Sequence, residues 1–79
     1  MKINYINNDI KKTVRLWKPT LNFNAESEIA NHLFEKFEID EVLVVEAKNC
    51  GDHLMLVLQS NIWKTSREFG LLDNGSLVW

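Results

Sequence analysis

Cys50-Gly51-Asp52-His53 places a thiol, a carboxylate and an imidazole within one short turn of this 79-residue chain. Two chemistries use such groups. A structural zinc ion takes about four ligands in a tetrahedral array, but the chain holds one cysteine and two histidines in all. A cysteine nucleophile with a histidine base also needs a third, orienting group and a substrate pocket, and nothing near residue 50 marks either. The segment therefore reads as a hairpin loop in which Gly51 and Asp52 make the turn. No catalytic residue, metal ligand or cofactor site is assigned.

The acidic groups Glu38, Asp40, Glu41 and Glu46 offer carboxylate pairs. Acid–base catalysis would need a cleft that separates their pKa values, whereas a charge run at a helix end reads as solvated surface. Trp17 beside Arg15 and Lys18, and Trp63 beside Lys64 and Arg67, set aromatic rings next to cations, a combination that can stack a base and neutralise phosphate. Against a nucleic-acid partner stands the net charge of −2, since phosphate binding draws on a basic surplus. The three glycines, at 51, 70 and 75, are isolated and form no phosphate-cradling loop.

Charge is distributed unevenly. Lys2, Lys11, Lys12, Arg15 and Lys18 against Asp9 leave the first 18 residues at +4. Glu26, Glu28, Glu35, Glu38, Asp40 and Glu41 against Lys36 leave residues 24–41 at −5. The acidic stretch suits docking onto a basic protein.

A composition of 46% hydrophobic and 25% charged residues describes one globular domain, residues 1–79. So small a domain buries only about 60% of the surface its unfolded chain exposes. One cysteine excludes an internal disulfide. No apolar run reaches the roughly 18 residues of a spanning helix, and the first residues turn polar at once, so the cytoplasm is the expected location.

Elements follow from pattern. Lys2 to Ile6 reads as a strand and Asn7-Asn8-Asp9 as a turn. Thr13 to Lys18 alternates, with Val14 and Leu16 opposed to Arg15 and Trp17, and Pro19 ends the strand. Asn24 is the expected N-cap of a helix from Ala25 to Phe37. Its apolar face is Ile29, Leu33 and Phe37, flanked by Ala30 and Phe34, with Glu28, His32 and Glu35 opposite. Val42 to Val45 and Leu54 to Leu58 are apolar strands, and Asp73-Asn74-Gly75 is a tight turn between two final strands. The expected fold is α+β: a mainly antiparallel sheet of five or six strands with one helix on one face, in the order β-β-α-β-β-β-β.

Neither central run alternates with polar residues, so both sheet faces should be apolar. With Leu43, Val45, Leu54, Leu56 and Leu58 under the helix, Val42, Val44, Met55 and Val57, joined by Trp17, form the far face. A partner subunit would cover it, giving a homodimer or larger; the alternative is a curled sheet whose last hairpin folds over that face. Glu28, His32, Glu35 and Glu38 would meet a second, unidentified protein partner. The expected function is a non-catalytic protein-interaction module, resembling in size and composition small bacterial or phage inhibitor and immunity proteins. The alternatives are a small-molecule binder or minor enzyme with a seam pocket near His53 and Trp17, and a single-stranded nucleic-acid binder using Trp17 and Trp63.

Overall fold

The computed structural model describes residues 1–79. Its elements are β1 (Lys2–Tyr5), α1 (Asn8–Leu16), α2 (Ala25–Phe37), β2 (Glu41–Asn49), β3 (His53–Gln59), β4 (Arg67–Leu72) and β5 (Leu77–Val78). The five strands form one mixed sheet in the order β1-β2-β3-β4-β5, with β1 parallel to β2 and the other pairs antiparallel. The fold is α+β.

The first third of the chain departs from the expected strand hairpin. Residues 8–16 are helical because Asn7 is an N-cap, its Oδ1 accepting from the Ile10 amide at 2.9 Å. Ile10, Val14 and Trp17 then recur at i, i+4 and i+7, so one helical stripe faces the core. Val14 and Trp17 are buried, whereas Leu16, paired with Val14 in the strand reading, is 78% exposed. Over only six residues, period 2 and period 3.6 predict overlapping apolar positions. Pro19 follows the helix end rather than a strand end.

With both helices between them, β1 and β2 lie side by side in parallel, as the long crossover permits. Lys2 pairs with Glu41, and Tyr5 with Val44. The second helix follows the expectation: Asn24 caps it through the Ser27 amide at 3.1 Å. Ile29 and Leu33 are fully buried. Glu38 ends it in the left-handed region at φ 57°, its amide bonded back to the last turn.

A bulge in β2 decides which sheet face the helices cover. Val44 pairs with Leu58, but the next partner of β3, Val57, pairs with Glu46, so Val45 is inserted. An inserted residue reverses the alternation on either side of it. Val42 and Val44 therefore face inward before the bulge and Ala47 after it. Counted as a regular strand, Glu46 falls in the parity of Val42 and Val44 and marks that set as outward; this is the source of the inverted assignment. Val42 and Val44 are 1% and 0% exposed. They join Leu54, Leu56, Leu58, Phe69, Leu71 and Leu77 beneath Val14, Trp17, Ile29 and Leu33 in a single core.

Candidate functional site

The outer face of the sheet carries no covering element. Leu43 and Val45 of β2, Met55 and Val57 of β3, and Leu72 of β4 stand on it half-exposed, with Val78 of β5 exposed. Of the residues expected on this far face, Met55 and Val57 are there. Val42, Val44 and Trp17 are not; Leu43 and Val45 take the place of the two valines. The last hairpin continues the sheet edge and does not fold over the face, which excludes the curled closure. Gly70 lies across from Met55 and Val78 in the ladders. There the surface dips into a groove of about 530 Å³ lined by His53, Met55, Leu72, Val78 and Trp79 among others.

The outer side of α2 is a second surface. Phe34, assigned by its spacing to the buried flank, is 62% exposed. It lines an open groove of about 990 Å³ with Met1, Ala30, Asn31, Glu35 and Glu38. Glu35 and Glu38 are exposed.

Glu28 and His32 are placed differently from the expectation. Both are half-buried against the β4–β5 turn: His32 Nε2 donates to the Gly75 carbonyl at 2.7 Å and lies 3.9 Å from Glu28 Oε2. The turn reaches α2 because β5 is an edge strand folded toward the helix layer, a tertiary contact that helical spacing does not encode. These two part-exposed residues contact the hairpin turn.

A third polar group joins the two helices to β1. The Tyr5 hydroxyl donates to Glu26 Oε2 at 2.5 Å, and Arg15 Nε reaches the same carboxylate at 3.3 Å. Burial, reinforced by the hydrogen bond and charge of Glu26, pushes the Tyr5 phenol well above its ordinary pKa.

In the β2–β3 turn, His53 Nδ1 and Asp52 Oδ1 are 2.7 Å apart. That hydrogen bond, with the histidine charge second, holds the fully exposed Asp52 carboxyl below its ordinary range. Cys50 is exposed beside them. No three histidine, cysteine, aspartate or glutamate side chains converge as a metal cluster, and every buried side-chain polar atom has a hydrogen-bond partner.

Both tryptophans proposed for base stacking are buried. Trp17 is 4% exposed, packs edge-on to Phe23 at 5.2 Å and donates its indole N–H to the Gly51 carbonyl at 3.4 Å. That contact brings Trp17 to the turn bearing His53, but it does not line the groove beside His53. Trp63 is 7% exposed among Phe37 and Phe69, with the Arg67 guanidinium 4.9 Å from its ring centroid. Their aromatic faces serve the core. No family model, curated protein or solved structure matches this chain.

Proposed function

We propose that the chain is a non-catalytic protein-interaction module. It pairs with a second copy through the open face of its sheet and presents the outer side of α2 to another protein, in the manner of small inhibitor and immunity proteins. One observation carries this reading: the apolar group Leu43, Val45, Met55, Val57 and Leu72 stands half-exposed on a rigid sheet with no element over it. Exposed apolar side chains grouped on one face mark association sites.

The surroundings suit a second copy. Lys48 opposes Met55, and Glu46 and Glu68 oppose Val57 from either side, so both charge signs stand within the face among the apolar side chains. In a two-fold contact the same surface meets itself, and acid on one copy can face base on the other. The molecule measures 33 × 25 × 19 Å. A standard interface takes roughly 800 Å² per partner, about a sixth of the 5116 Å² that one chain exposes.

Val57→Asp tests the reading, because it sets a third carboxylate between Glu46 and Glu68 in the contact, where like charge and lost hydration both oppose pairing. Val57 is already part-exposed on the outer face, so the change leaves the packing of the core untouched. Sedimentation velocity should show the variant as a monomer that retains the helical circular dichroism of the parent. A variant sedimenting like the parent would count against the sheet face as the contact.

A further inference from the structure

We propose that the groove on the outer side of α2 is the docking site for a basic amphipathic helix of another protein. The proposal rests on the interaction-module reading, but not on the sheet-face contact, which lies on the opposite side of the molecule. The groove combines an apolar floor with an acidic rim. Its apolar residues are Met1, Ala30 and Phe34, and Asn31, Glu35 and Glu38 complete it. Phe34 and Met1 are 62% and 47% exposed, an aromatic and a flexible thioether side chain held in water.

The rim selects the charge of the occupant. Other acidic groups nearby are engaged: Glu26 by Arg15, Glu28 by His32 and Glu41 by Lys2. Glu35 and Glu38 form no ion pair, and no lysine or arginine lines the groove. An occupant must bring apolar side chains to Phe34 and Met1 and cations to Glu35 and Glu38. Helix-in-groove recognition supplies that pattern, with apolar anchors at i, i+3, i+4 and i+7 flanked by charge.

A second copy offers a poorer match. Its basic helix α1 has Arg15 already bound to Glu26 and lies in contact with its own acidic α2, so the two arrive together. A foreign basic helix brings no such acidic neighbour.

The test uses a fluorescein-labelled synthetic helix of leucine and lysine with leucine at the i, i+3, i+4 and i+7 positions, and a counterpart with glutamate at every lysine. Anisotropy should show binding of the lysine peptide alone. Amide shifts in a ¹⁵N–¹H spectrum should fall on Ala30, Asn31, Phe34, Glu35 and Glu38. Phe34→Ala should weaken binding about tenfold, as loss of an interface anchor does. Glu35→Gln should weaken it severalfold, and Glu46→Gln, on the sheet's open face, should leave it unchanged.

The Val57→Asp protein should bind the peptide like the parent, which separates this site from the sheet-face contact. Equal binding by the Phe34→Ala protein, equal binding of the glutamate peptide, or shifts centred elsewhere would overturn the proposal. So would concentration-dependent shifts at these residues without peptide, which would make a second copy the occupant.

Discussion

His32 and Gly75 are joined by a 2.7 Å hydrogen bond that ties the middle of α2 to the β4–β5 turn. Gly75 has φ +90°, and a Cβ built on it would lie 3.0 Å from Glu28 Oε2. Turn geometry selects glycine at this position, and a side chain there would also have to displace the Glu28 carboxylate. Replacing Gly75 with valine should cost at least about 1 kcal/mol, through an unsuitable backbone conformation and crowding of Glu28. In a domain of this size that lowers the melting temperature by roughly 4–8 °C per kcal/mol. Adding Glu28→Ala should restore part of the loss, since it removes the crowding and leaves the backbone strain. Thermal melts of the single and double variants decide it.

The left-handed residue at the end of α2 leads to a stabilising change. Glu38→Gly should raise stability by about 1 kcal/mol, because glycine carries no Cβ penalty at positive φ. Urea unfolding measures it; an unchanged or lower midpoint would mean that the Glu38 side chain contributes to the fold.

The Tyr5–Glu26 contact predicts a pH dependence at the alkaline end. The folded phenol holds its proton more tightly than the unfolded one. Below the ordinary tyrosine value both states are protonated and the contribution is fully present. As pH rises past it, the unfolded chain deprotonates first and stability falls. Absorbance titration near 295 nm should place the folded Tyr5 ionisation above the ordinary range, and Glu26→Gln should lower it only in part, since burial remains.

Chelation provides a check on Cys50 and His53. The Asp52–His53 pair forms without any third ligand, so excess EDTA should leave the melting temperature within error. A large drop would mean that metal binding contributes to folding.

Much of the fold was legible where one local signal stood clear of competitors. Asn24 and the spacing of Ile29, Leu33 and Phe37 specified α2, and Asn74-Gly75 specified the last turn. Helix α1 was misread because Asn7 suits a turn as well as an N-cap, and because Val14 pairs with Leu16 in period 2 as readily as with Trp17 at helical spacing. The Val45 bulge has no local signature, since valine is as natural in a regular strand as in a bulge. Its effect is nevertheless to exchange the faces of Val42 and Leu43. Of the expected site residues, Met55, Val57, Glu35 and Glu38 stand on open surfaces, while Val42, Val44 and Trp17 belong to the core. Glu28 and His32 meet the hairpin because of how the sheet edge folds back, which only the tertiary structure specifies. Phe34 was missed as a surface residue because apolar side chains at helical spacing are ordinarily assigned inward, yet it is 62% exposed.

The most direct test of the central claim is the molar mass of the unmodified protein in solution, by light scattering coupled to size exclusion at tens of micromolar. Pairing through Leu43, Val45, Met55, Val57 and Leu72 predicts twice the 9.2 kDa of one chain, falling toward one chain on dilution. A mass of one chain throughout that range would contradict it.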